Sequence, residues 1–126
     1  MPPFDWLEYL ELAKQLSSDK DKEAAMRSAI SRAYYAAFNQ VKAHCIAHNI
    51  YIPRSTESHQ VVWDNFKEGR TLRGVYTNGD LLKQKRVHAD YKSEPIERLE
   101  DTVKQAIRYA ENVLHYLSQA TPPPTH

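Results

Sequence analysis

The chain is poor in glycine, nearly free of cysteine and without a long apolar run. Three glycines in 126 residues, set against long periodic segments, favour an all-helical domain over a sheet. The single cysteine, Cys45, has no partner for an internal disulfide, so a reducing, cytoplasmic setting is the simplest expectation. No stretch approaches the ~18 apolar residues that a membrane span needs, so no membrane contact is expected. Met1-Pro2-Pro3-Phe4-Asp5 lacks the basic-then-apolar plan of a signal peptide. The formal net charge of +1 excludes a global electrostatic pull toward nucleic acid or membrane. There is no phosphate-cradling glycine loop and no serine nucleophile motif. His44 and His48 stand four apart beside Cys45, but without a carboxylate partner they do not make a metal site. Neither a metal nor a cofactor is expected.

What is present is ordinary soluble composition, 41% hydrophobic and 26% charged, at a length that suits one core. Residues 1–120 read as a single domain and the proline-rich 121–126 as a disordered tail. The periodicity predicts five helices. The first spans about Asp5–Leu16, with Asp5 and Glu8 at capping-box spacing. The second spans about Lys20–His48. Its apolar positions cover so much of the circumference that it belongs in the middle of a bundle. A third covers about Thr56–Glu68, with His59, Val62, Trp63 and Phe66 on one side and Gly69 as its stop. Arg70–Gly79 reads as irregular, with Gly74 and Asn78-Gly79 as turn signals. A fourth helix is expected over about Asp80–Tyr91. A fifth begins near Ser93 and Pro95 and runs to about Gln119, supported by Glu94–Arg98 and Glu100–Lys104 pairs. Short links between long helices imply an all-α, up-and-down antiparallel bundle of four to five helices.

One run is more specific. Ser31-Arg32-Ala33-Tyr34-Tyr35-Ala36-Ala37-Phe38 resembles the second-helix signature of small prokaryotic HEPN proteins. His59 with Trp63 and Phe66 resembles the family's third helix. Arg86-Val87-His88-Ala89-Asp90-Tyr91 is similar to an "Arg, two residues, Ala-Asp-Tyr" element of one HEPN branch, and Ala110-Glu111 matches the last helix. The resemblance implies a helical bundle that commonly forms homodimers. It implies ribonuclease activity in toxin–antitoxin, phage-defence or CRISPR-linked systems, pairing with a small nucleotidyltransferase, or binding of nucleotides or RNA without cleavage.

The active branch of that family carries an arginine followed, after four to six intervening residues, by a histidine. Metal-independent RNA cleavage needs a base for the 2′-hydroxyl and a cation for the phosphorane charge. Arg86 stands at the expected arginine, but Tyr91, Lys92 and Ser93 occupy the places where the histidine should be. His88 lies two residues on, about 200° around a helix from Arg86. Full nuclease chemistry is therefore not expected, and Arg86 with His88 is kept as a catalytic alternative. Arg54–His59 and Arg108–His115 also match the spacing, and they read as surface or capping residues. From Lys67 to Lys92 there are seven Lys/Arg against three Asp/Glu, a local net of +4. Such a surface suits a phosphate-bearing ligand, with Arg32, Lys83, Lys85, Asp90 and Tyr91 as binding residues. Asp90 is expected to pair with Arg32 or Arg86, because a buried arginine needs such a partner. Tyr91 reads either as an attachment site for nucleotides, as the resemblance implies, or as a helix-end tyrosine with a wet hydroxyl. The expected function is an RNA- or nucleotide-interacting protein of a toxin–antitoxin or defence system. The alternatives are an inactive module that binds a nucleotidyltransferase, or a ribonuclease using Arg86 and His88.

Overall fold

The computed structural model describes residues 3–55, 57–68 and 72–119. They form five helices and, among the described residues, no strand: α1 (Leu7–Leu16), α2 (Glu23–Ala47), α3 (Ser58–Asp64), α4 (Arg73–Tyr91) and α5 (Leu99–Ser118). The all-α bundle anticipated from the periodicity is therefore present. α2 packs against each of the other four. That is why its apolar residues run most of the way round. Met26, Ala29, Ile30, Ala33, Tyr34, Ala36, Ala37, Phe38, Val41 and Cys45 are all buried. The alanines admit neighbouring backbones closely, and the aromatic residues fill what remains.

Cross-helix contacts give the directions. Arg27, early in α2, meets the carbonyls of His88 and Ala89 at the end of α4, so these two helices are antiparallel. Asn112 of α5 donates to Asn78 of α4 at 3.1 Å, while Lys85 lies over Tyr109, so α4 and α5 also run oppositely. Lys14 pairs with Glu111 at 3.5 Å and Lys20 with Glu100 at 3.8 Å, which sets α1 against α5 in the same sense. α2 ends where Asn49 takes up a left-handed φ of 62°. Ile50 and Asn49 then donate to the Cys45 and Ile46 carbonyls, closing the last turn in a Schellman arrangement.

Several boundaries differ from expectation, and at the starts of α4 and α5 the reason is tertiary. α4 begins at Arg73, so Gly74, Asn78 and Gly79 are helical and make no turn. A Cβ at Gly74 would enter the Tyr116 ring, and one at Gly79 the Trp63 ring, so these glycines are where α4 is approached most closely. Asn78 bonds the Gly74 carbonyl at 2.8 Å and accepts from Asn112, work for a helix interface and not for a turn. α5 begins at Leu99, well after Ser93, and Arg98 holds a left-handed φ of 50°. Pro95 disfavours helical geometry at Glu94. The Lys92 and Glu94 carbonyls that a helix would need are taken by Arg27 at 2.6 and 2.7 Å. The expected Glu94–Arg98 pair has no helix to sit on, and Ser93 caps nothing. α3 is a seven-residue helix, shorter than anticipated. At the first helix, Asp5 bonds the Leu7 amide at 3.0 Å, supplying a cap two residues early. The expected stop at Gly69 and the expected tail at residues 121–126 lie outside the described residues.

Candidate functional site

Arg86 is the buried charge of the fold. Its residue is 6% exposed, and it is the one charged or polar residue buried among those described. α4 carries it toward α2, where its guanidinium carbon lies 4.9 Å from the Tyr34 ring centre and 5.7 Å from that of Tyr35. The Tyr91 ring closes a third side at 5.5 Å. Three aromatic faces stabilise the cation. Its polar partners are distant: Asp90 Oδ2 at 3.9 Å and the Tyr91 hydroxyl at 3.5 Å. Among the described residues Arg86 Nε is the single buried side-chain nitrogen or oxygen with no partner. A guanidinium holds five donors in a fixed fork, and here the Nε donor is without an acceptor.

The cation lines a cleft of ≈ 420 Å³ with Tyr35 of α2, Ser55, His59 and Gln60 at the start of α3, and Lys83 and Tyr91 of α4. The size lies in the ~300–1,000 Å³ range of small-ligand clefts. Lys83 Nζ donates to Gln60 Oε1 at 2.6 Å, which ties α3 to α4 across the cleft. His59 stacks on Phe38 at 4.2 Å and 10°. Its Nδ1 lies 2.7 Å from the Tyr34 hydroxyl, which also receives the Trp63 indole N–H at 3.1 Å. Burial, and then the positive charges of Arg86, Lys83 and Lys42, push the His59 imidazole down to about 4, so it is neutral near pH 7. Burial raises the Tyr34 phenol above its ordinary value.

The structure divides the residues anticipated from the sequence. Arg86, Lys83 and Tyr91 meet in the cleft, and Asp90 stands at its edge, held by Arg86 and by the Ser31 hydroxyl at 3.1 Å. Arg32, Lys85 and His88 do not join them. Arg32 lies 4.8 Å over the Tyr9 ring, in the Phe4–Trp6–Tyr9 cluster beside α1, so its expected pairing with Asp90 does not form. Lys85 turns to Tyr109 at 5.8 Å. His88 points to the Glu94 carbonyl, 3.2 Å from its Nε2, on the far side of α4. His59, taken from its spacing for a surface or capping residue, is the histidine that shares the cleft with Arg86. The available signal was its place on the apolar side of α3 with Trp63 and Phe66. His44 and His48 stack at 4.0 Å, and the described residues hold no group of three that could bind a metal ion. No described helix is long and apolar enough to cross a membrane.

Fold and site together define a helical-bundle protein with a cationic, aromatic-walled cleft. The chain belongs to the HEPN domain family, whose model matches residues 7–120. No significant match was found among curated proteins or among solved structures. Membership ties the chain to RNA- or nucleotide-related function, often in toxin or defence systems.

Proposed function

We propose that the cleft binds a phosphate-bearing ligand, a nucleotide or a segment of RNA, and that the chain serves a toxin–antitoxin or defence-type system without full ribonuclease chemistry. The observation that carries this reading is the buried, unpartnered Nε of Arg86. A buried arginine kept only for stability saturates its donors; this one is walled by rings and short of acceptors. Phosphate oxygens fit such a fork, with Lys83 as a second charge beside it. Tyr35 and Tyr91 offer faces on which a base can stack. Cleavage would need a base beside the 2′-hydroxyl. His88 faces away from Arg86, and His59 is weakly basic with one nitrogen already committed. Pairing of two copies belongs to the same proposal, because a second Arg86 would extend the cationic surface.

A second reading, a module that docks a nucleotidyltransferase, is favoured by Tyr91, which is 73% exposed at the rim of the cleft. Titration of 5′-AMP and of a uridine hexanucleotide into wild type and Arg86→Met separates the two, with RNA integrity followed in parallel. Binding without cleavage, lost in Arg86→Met, is the expected result. Equal binding by both proteins would sink the ligand reading and leave the docking one.

A further inference from the structure

The cleft histidine is held by a hydrogen-bond chain whose direction is set at its buried end. Trp63 Nε1–H can only donate, and it donates to Tyr34 Oη at 3.1 Å. Arg86, the other polar group at the Tyr34 ring, can only donate as well. The Tyr34 side chain has no exposure, and among the described residues its phenol proton has one acceptor in reach, His59 Nδ1 at 2.7 Å. A proton on Nδ1 would leave the phenol O–H buried without an acceptor. Nδ1 is therefore the accepting nitrogen, and the ring proton sits on Nε2. Nε2 has no hydrogen-bond partner among the described residues. Arg86 Nε is the one buried, unpartnered side-chain nitrogen or oxygen among the described residues, so His59 Nε2 is open to solvent.

The surroundings also keep the ring uncharged. α3 packs on α2 and α4. From α2 it is faced by Tyr34, Tyr35 and Lys42, and from α4 by Lys83 and Arg86. No carboxylate stands among these groups to favour an imidazolium.

We infer that His59 is a specificity-determining residue: a neutral Nε2–H donor, locked in one tautomer by Tyr34 and Trp63, that reads a phosphate oxygen of the ligand held by Arg86. This rests on the reading of the cleft as a phosphate site. It assigns the fixed charge to Arg86 and Lys83, and direction to His59. An acceptor at the right place is bound; a ligand offering a donor there is refused, because the ring cannot reverse its polarity without breaking the Tyr34 bond.

Long-range ¹⁵N–¹H correlation on the free protein tests the lock directly. The Nε2–H pattern is expected at pH 7.5 and at pH 5.5. An Nδ1–H pattern, or an imidazolium at pH 5.5, would overturn it. Tyr34→Phe should yield a mixture of tautomers, and an unchanged spectrum there would overturn the relay. The donor role is read with 5′-AMP at pH 7.5. His59→Gln, which keeps a donor, should bind within about threefold of wild type, and His59→Phe, which keeps the stack on Phe38, about tenfold more weakly. Equal binding by His59→Phe and wild type, with Arg86→Met still deficient, would remove His59 alone. No AMP binding by wild type would remove the phosphate cleft and the donor role together, while the tautomer is still read on the free protein.

Discussion

Two arginines cross from one helix to another, and they are used in opposite ways. Arg27 leaves α2 and spends its donors on the carbonyls of His88, Ala89, Lys92 and Glu94, at 3.4, 3.2, 2.6 and 2.7 Å, with Glu23 at 3.4 Å on its Nε. Arg86 leaves α4 in the other direction, is more deeply buried, and meets ring faces and two distant oxygens. The first closes the C-terminal end of α4, whose last carbonyls have no helical partners. The second holds a charge in place and leaves its Nε donor unspent. Satisfaction of donors, and not burial, distinguishes a structural arginine from one kept for a ligand.

The contrast breaks first at Arg27. Arg27→Ala removes the carbonyl clamp and frees the 92–98 link. Its effect should be the largest, a loss of about 3 kcal/mol, or roughly 10 °C in Tm, by thermal denaturation. Gly79→Ala follows at about 2 kcal/mol, because the added methyl meets the Trp63 ring between α3 and α4. The same substitution disturbs the Trp63–Tyr34–His59 chain, so AMP binding should weaken with it. Arg86→Met should reverse the Arg27 result. Stability should change by less than about 1 kcal/mol, since an apolar side chain of similar volume suits that site. AMP affinity should fall by about tenfold or more. A large loss of stability in Arg86→Met, with ligand affinity kept, would make the two arginines alike.

The parts legible in the sequence are those set by local periodicity. α2 and α5 carry their apolar stripes openly, and the crowded circumference of α2 already put it at the centre. The first half of α4 was hidden because Gly74, Asn78 and Gly79 are turn residues by local preference; in the helix the two glycines admit the rings of Tyr116 and Trp63, and Asn78 bonds Asn112 of α5. The start of α5 was hidden because the carbonyls that would have begun it are bound by Arg27, far away in sequence. In the site, Arg86, Lys83, Asp90 and Tyr91 were legible together because one helix carries them. His59 and Tyr35 reach the cleft from other helices, and no spacing rule within one segment finds them. His88 was favoured over His59 by closeness to Arg86 in the chain, which is not closeness in space.

A pH scan sharpens the comparison at His59. The folded value is pushed down to about 4, below the ordinary value of 6.5, so the unfolded chain takes up a proton that the folded chain refuses. This contribution to stability is complete above about pH 6.5 and is lost as the pH falls from there toward 4. Urea denaturation at pH 7.5 and pH 5 should therefore show a larger drop for wild type than for His59→Phe. Identical drops would mean that His59 titrates normally in the folded protein.

The smallest effect should come from His88→Ala, and its smallness is informative. His88 is adjacent to the site by sequence, and it would be the obvious base for a cleaving enzyme. Its Nε2 lies 3.2 Å from the Glu94 carbonyl, which Arg27 already satisfies at 2.7 Å, so the imidazole is a redundant partner there. Removing it deletes one exposed hydrogen bond, worth about 0.5 kcal/mol, and leaves the cleft untouched. AMP affinity within about twofold of wild type is the expected outcome by titration. A loss approaching that of Arg86→Met would bring His88 into the site in solution and restore the pairing of Arg86 with His88 that the orientation of α4 argues against.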